Sequence, residues 1–170
     1  MLAASLLLIA FPTSAAARSG GGLASFEDPP VVPGATSTLV RGRALPPAEA
    51  PPAVTAAIRA GNRIRARTYI WGGGHGSWAS RGYDCSGAVS FALHGAGLLQ
   101  TPLDSTSMMS WGAAGPGDWI TIYANHRHAF AEIAGLRWDT SGDRRGVSGP
   151  RWHVDPADAR GFVVRHPIGY

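Results

Sequence analysis

The sequence predicts an α+β domain in which helices come first and an antiparallel sheet follows. Apolar residues make up 45% of the 170 residues and charged residues only 15%, so the chain can build one core. Apolar residues recur at helical spacing up to about residue 96, and alternation with a period of two begins near residue 119. Helices segregated from strands along the chain are typical of α+β proteins.

Residues 1–17 have the pattern of an export signal. The apolar run from Leu2 to Phe11 is too short to span a bilayer, and small residues around Ala15 fit a cleavage site. Because no Arg or Lys precedes the run, a buried helix or a misplaced start codon is the alternative interpretation. No later segment is apolar and long enough for a transmembrane helix. We therefore expect a secreted protein whose mature chain begins near Arg18.

Residues 18–52 are predicted to be a linker, because 12 of these 35 residues are Gly or Pro. An apolar patch at Leu39 and Val40 could still dock on the domain. The folded domain is expected to span residues 53–170. Its first helix should begin at Pro51 and Pro52, which suit a first helical turn.

A glycine-rich turn at residues 72–74 separates this helix from a second one, which is expected from Cys85 to about Leu93. Gly95 and Gly97 would end the second helix. The later segments alternate polar and apolar residues, which indicates strands. The expected strands are residues 119–123, a hairpin of 128–133 and 136–140, and 162–164.

All 15 basic residues are Arg, and against 11 acids they leave a formal charge of +4. This charge is too diffuse along the sequence to indicate nucleic acid as a partner. A single Cys excludes an internal disulfide framework and every zinc site built from several cysteines.

Cys85 is the candidate nucleophile. Asp84 is a good N-cap, so Cys85 would lie in the first turn of a helix, whose positive end stabilises a thiolate. A thiolate can attack a carbonyl, and the free N–H groups of the same turn can receive the resulting oxyanion. The alternative is an inert, buried cysteine, which is common for a free thiol.

His128 is the candidate base, since it opens a strand that can face the helix. His126, two residues earlier, is the second candidate, whereas His94 lies more than two helical turns from Cys85. The hairpin register makes His128 and Asp139 diagonal neighbours on its polar face, where an Asp can orient a His. A solvated polar face is the alternative.

The same register places Glu132 opposite Arg137 as a cross-strand ion pair. It sends Thr140 to the apolar face that should meet the core.

Five segments taken in order resemble the landmarks of the NlpC-type cell-wall cysteine peptidases. The resemblance covers residues 53 to about 165, and the Asp-Cys-Ser-Gly segment is specific in this context. The segments are Tyr69-Ile-Trp-Gly-Gly, Asp84-Cys-Ser-Gly, Thr101-Pro102, Pro116-Gly-Asp118 and His128-Ala-Phe-Ala-Glu.

This resemblance implies a reduced papain-like fold and hydrolysis of peptide bonds in peptidoglycan stem peptides, often between D-glutamate and a diamino acid. It implies Cys85 as nucleophile, His128 as base and the Tyr69 hydroxyl at the oxyanion site, with no metal or organic cofactor. A third polar residue, commonly His, follows the base by about a dozen positions in the family, and Asp139 matches it one residue short.

Asp84, Ser86 and Trp71 are candidates for substrate contact. The insert His75-Gly-Ser-Trp-Ala-Ser differs from the short, often Pro-containing segment of the family and could reshape the groove. Two other functions stay open: a non-catalytic wall-binding module, and an amidase or acyltransferase on the same fold. Loss of Cys85 or of the facing His would indicate the binding module, and neither is lost.

Overall fold

The computed structural model describes residues 30–142 and 148–170. Three helices and ten strands form in these residues. The helices are α1 (Pro52–Ile64), α2 (Cys85–Gly95) and α3 (Ser105–Met108). The strands are β1 (Thr38–Val40), β2 (Arg43–Leu45), β3 (Thr68–Tyr69), β4 (Gly82–Tyr83), β5 (Ala113–Ala114), β6 (Ile120–Ala124), β7 (Ala129–Ile133), β8 (Leu136–Asp139), β9 (Arg151–His153) and β10 (Val163–His166).

Six strands form one antiparallel sheet in the order β5-β10-β6-β7-β8-β9. Strands β1 and β2 form a separate hairpin, and β3 pairs with β4 in parallel. The two longer helices precede the large sheet in the chain, so the predicted α+β class is confirmed.

Helices α1 and α2 pack against each other, and α2 also packs against β7 and β8. Pro52 starts α1, whose Val54, Ile58 and Ile64 are buried at the expected helical spacing. The fully buried Trp138 of β8 donates its Nε1 proton to the Ala88 carbonyl of α2 at 2.9 Å. This bond joins the apolar side of the sheet to the helix that carries Cys85.

Residues 30–52 differ from the expected linker, because they pack on the domain. Ala44 in β2 is fully buried, and the side chain of Asn62 in α1 accepts from its N–H at 3.0 Å and donates to its carbonyl at 2.7 Å. A Pro-rich segment cannot form a core of its own, but here the side chain of Asn62 satisfies the backbone N–H and carbonyl of Ala44 in β2. The packed region therefore begins before residue 53. Residues 1–17 and 18–29 lie outside the described residues.

The hairpin register predicted from the sequence is confirmed: Ile133 pairs with Leu136 and Glu132 with Arg137. Arg137 does not form the expected ion pair with Glu132. Its Nη1 donates instead to Asp139 Oδ2 at 3.1 Å. A carboxylate buried on the same strand is a stronger partner than the exposed Glu132 across the turn.

Six short strands, β1 to β5 and β9, and helix α3 were not predicted, since segments of two to four residues carry too little periodicity to recognise. Within the described ranges, no helix is long and apolar enough to cross a membrane.

Candidate active site

Cys85 is the first residue of α2, as expected from Asp84 in the N-cap position before it. The carboxylate of Asp84 caps the helix by accepting from Gly87 N at 2.7 Å. Cys85 is 7% exposed and is the free cysteine of the chain. Its thiol therefore lies beside the unpaired N–H groups of a helix N-terminus.

The glycine-rich loop before β4 packs directly on this helix start. The Gly73 carbonyl accepts from Asp84 N at 3.1 Å, and Gly72 N donates to Asp84 Oδ2 at 3.0 Å. A Cβ added at Gly87 would overlap the Gly73 carbonyl oxygen. The approach of loop to helix therefore requires glycine in the Asp-Cys-Ser-Gly segment.

The β7–β8 hairpin brings His128 and Asp139 together. His128 Nε2 lies 2.8 Å from Asp139 Oδ1, and Asp139 is 3% exposed. Asn125 orients the turn by accepting from His128 N at 2.9 Å through its side-chain oxygen. Ser141 closes the group, with its hydroxyl 3.2 Å from His128 Nε2 and from Asp139 Oδ1. Because Asp139 engages Nε2, the other ring nitrogen, Nδ1, is the one left for Cys85.

The electrostatics of this group favour a charged imidazole. Burial by itself lowers the pKa of His128, but hydrogen bonds to Asp139 and Cys85 and the charges of both raise it to about 9. Burial likewise raises the pKa of Asp139, but the hydrogen bond to His128, together with Ser141 and Arg137, holds it below its usual value. His128 is thus an imidazolium at neutral pH.

Tyr69 lies at the end of β3 and precedes Cys85 in the chain, whereas His128 and Asp139 follow it. Burial raises the pKa of its hydroxyl, and the negative charges of Cys85 and Asp84 raise it further. The hydroxyl therefore stays protonated at neutral pH and can donate a hydrogen bond near the thiol.

A groove of about 510 Å³ opens beside Cys85. Trp71 forms part of its wall and is 88% exposed. The second candidate base, His126, lies on this wall too, with Nδ1 3.4 Å from the Thr106 hydroxyl rather than beside Asp139. The lining residues are Tyr69, Trp71, Gly72, His75, Asp84, Cys85, Ser86, Asp104, Ser105, Thr106, His126 and Arg127.

His75 is a groove residue to which the sequence analysis assigned no role. Its Nε2 lies 3.0 Å from Asp84 Oδ1 and 3.2 Å from the Ser86 hydroxyl. The Asp84 carboxylate is therefore engaged by several protein groups, whereas the His75 imidazole is about a quarter exposed and lines the groove. The departure of the insert from the family pattern is the signal that could have identified this histidine.

The assembled groups are those of nucleophilic acyl transfer: a thiol at a helix start, an imidazole oriented by a carboxylate, and a phenol that can donate to an oxyanion. Across the parts of the chain that the structure describes, no cluster of three His, Cys, Asp or Glu side chains could hold a metal ion.

A solved structure shares this arrangement of elements. The peptidoglycan hydrolase RipB from Mycobacterium tuberculosis matches with a TM-score of 0.53 and 24% identity over 69% of this chain and 66% of that chain. The chain has the fold of RipB. Because RipB has a papain-like NlpC/P60 domain, the papain-like fold predicted from the sequence is confirmed.

Rv1477, a hypothetical invasion protein of the same organism, matches with a TM-score of 0.49 and 25% identity over 66% of this chain and 61% of that chain. This chain thus spans less than two thirds of either solved chain. No protein-family profile and no curated protein matches the sequence.

Proposed function

We propose that this protein is a secreted cysteine peptidase that hydrolyses amide bonds in the stem peptides of peptidoglycan. The observation that carries the proposal is the position of His128, which interacts with the thiol of Cys85 and lies 2.8 Å from the carboxylate of Asp139. The fold it shares with RipB, a protein described as a peptidoglycan hydrolase, supports the choice of substrate.

The reaction begins with attack by the Cys85 thiolate on the amide carbonyl. The C–S bond forms as the carbonyl becomes an oxyanion, and the imidazolium of His128 then donates its proton to the departing amine. A water molecule next gives a proton to the neutral imidazole and its oxygen to the acyl carbon, which releases the acid and restores the thiolate. Asp139 supports this cycle, because it orients the ring and favours its charged form.

The oxyanion would be received by two donors, the backbone N–H of Cys85 and the hydroxyl of Tyr69. The N–H belongs to the first turn of α2 and has no partner within the helix. The raised pKa of Tyr69 keeps its hydroxyl protonated, so that it can donate at neutral pH. Neither donor requires a metal or an organic cofactor.

Stem peptides suit the groove because they carry carboxylates on an extended chain. The groove wall includes Arg127, His126 and His75, which can pair with such groups, and the exposed ring of Trp71 offers an apolar surface. The bond between D-glutamate and a diamino acid is the proposed target. Ser86 and Asp84 would act on substrate mainly through the position of His75.

Digestion of purified peptidoglycan, with mass spectrometry of the released ends, tests the proposal. Wild type should cut within stem peptides, whereas Cys85→Ala should be inactive and Cys85→Ser nearly so, because a hydroxyl provides no thiolate. Both variants should keep the wild-type circular dichroism spectrum, since a smaller side chain at this helix start costs little packing.

Hydrolysis by folded Cys85→Ala at more than a few per cent of the wild-type rate would remove Cys85 as nucleophile. Release of whole stem peptides would indicate an amidase, transfer of an acyl group to an added amine an acyltransferase, and binding without release a wall-binding module.

A further inference from the structure

Five arginines from three segments of the chain meet on one side of the molecule, here called the arginine face: Arg41, Arg63, Arg65, Arg67 and Arg81. They line two grooves of about 550 and 400 Å³. Arg63 and Arg81 belong to the first groove, Arg41 and Arg65 to the second, and Arg67 to both. The two grooves are therefore adjacent, and they share no residue with the groove beside Cys85. Arg151 also lines the second groove, but its Nε donates to the Gly149 carbonyl at 3.1 Å, and it is not counted in the arginine face.

Among the residues that the structure describes, no Asp or Glu lines either groove of the arginine face. Arg65 donates to the Asn62 carbonyl at 2.8 Å, and the guanidinium carbon of Arg63 lies 5.7 Å from the centre of the Phe91 ring. Within residues 30–142 and 148–170, none of the five forms a salt bridge with a carboxylate, although Arg137 and Arg160 elsewhere do.

A structural explanation accounts for two of these charges, because Arg63 and Arg65 both lie at the C-terminal end of α1 and Arg65 donates to a carbonyl there. Arg63 lies in the last turn of α1, where a cation is favoured by the helix dipole. Arg41 comes from the turn between β1 and β2, and Arg81 from the loop before β4. Like charges gathered from distant segments repel one another unless an anion joins them. The sequence, in which the same charge is dispersed, does not show this gathering.

We propose that the arginine face binds a flexible polymer with repeated phosphate groups. Guanidinium groups bind phosphate through paired hydrogen bonds, and all cationic side chains here are Arg. A single phosphate would engage one groove, whereas a polymer can cross both grooves at Arg67.

The aromatic rings of the first groove favour this polymer over nucleic acid. Trp78 stacks on His94 with ring centroids 4.0 Å apart. Phe91 lies against Tyr83 and beneath Arg63. Rings that are engaged within the protein do not form a platform for bases, which single-stranded nucleic acid requires.

Binding of the full chain to fluorescently labelled inorganic polyphosphate, measured by anisotropy at several salt concentrations, tests this proposal. Arg67→Gln should weaken binding about tenfold, as expected for one lost charge-assisted hydrogen bond. The triple change Arg63→Gln, Arg67→Gln and Arg81→Gln should also reduce the slope of log K against log salt by about 0.7 per lost contact. Arg160→Gln, which removes the same charge at an exposed site away from both grooves, should bind as wild type.

Equal losses of affinity in Arg67→Gln and Arg160→Gln would overturn the proposal in favour of net charge alone. Wild-type affinity in the triple variant would overturn it as well, because the polymer would then bind outside the arginine face. Tighter binding of a single-stranded DNA of equal charge, lost in the same variants, would overturn it in favour of nucleic acid. Thermal unfolding midpoints close to wild type establish that the variants are folded. The proposal does not depend on the peptidase activity.

Discussion

His128 stays charged in a largely buried position because two acidic neighbours outweigh the cost of burial. Its hydrogen bonds to Asp139 and Cys85 raise its pKa, whereas burial lowers it. Asp139 is in turn held by Arg137 and Ser141. The charge of one imidazole is therefore maintained by a chain of contacts along β8 and the residues that follow it.

Asp139→Asn should lower the rate of peptidoglycan hydrolysis mildly and Asp139→Ala more strongly, and both less than His128→Ala. Asn keeps a hydrogen-bond acceptor for Nε2 but loses the charge, so the pKa of His128 should fall. The alkaline limb of the rate profile, near pH 9 in wild type, should therefore move to lower pH. Measurement of kcat/KM from pH 5 to about pH 10 checks this shift.

Thr140→Val is the matched control, since Thr140 is buried beside Asp139. It should leave the profile nearly unchanged. Full activity in Asp139→Ala, together with loss in Thr140→Val, would contradict the role given to Asp139.

At the scale of elements, the start of α2 depends on a close approach between a loop and a helix. The Gly73 carbonyl, the Asp84 N–H and the Asp84 carboxylate link the two segments. The same carboxylate caps the helix and holds His75. One acidic side chain thus fixes both the thiol and one wall of the groove.

Gly87→Ala should destabilise the protein by about 1–3 kcal/mol, because its Cβ would overlap a backbone oxygen that cannot move away freely. The loop would be pushed off the helix, so hydrolysis should fall as well. Gly76→Ala is the control in the loop that contains Gly73, because a Cβ added at Gly76 has no heavy atom within 4 Å. Urea unfolding of both variants measures the difference, and equal stabilities would show that the loop can shift without cost.

Across the whole molecule, stability should depend on pH through His128. The pKa of this group is raised in the folded state, from 6.5 to about 9. Its contribution is therefore fully present below about pH 6.5 and is lost as the pH rises to about 9. The thermal midpoint should decline over this interval, and less so in Asp139→Asn. A midpoint that stays level in wild type would contradict the coupling between His128 and its neighbours.

Export is also a property of the whole chain, and we propose it from residues 1–17. The secreted protein should begin near Arg18 after cleavage at the small residues. N-terminal sequencing of material from the culture medium measures this. Recovery of the protein only inside the cell, with Met1 intact, would refute export and access to peptidoglycan.

The order of elements, the position of the thiol and the hairpin register follow from the sequence alone. Each depends on local physics: apolar periodicity, an Asp before a helix, and a two-residue turn whose Ala134 and Gly135 both have positive φ. His128 and Asp139 could be placed on one face for this reason, since a register determines which side chains are neighbours.

Other features depend on contacts between residues far apart in the chain, and only the tertiary structure decided them. The segment at residues 30–52 packs because Asn62 satisfies its backbone, which composition does not show. His75 reaches Asp84 because a loop folds over the helix start, and Arg41 approaches Arg67 because two distant segments meet. Local sequence predicts which groups a segment offers, but the packing of segments determines which groups face one another.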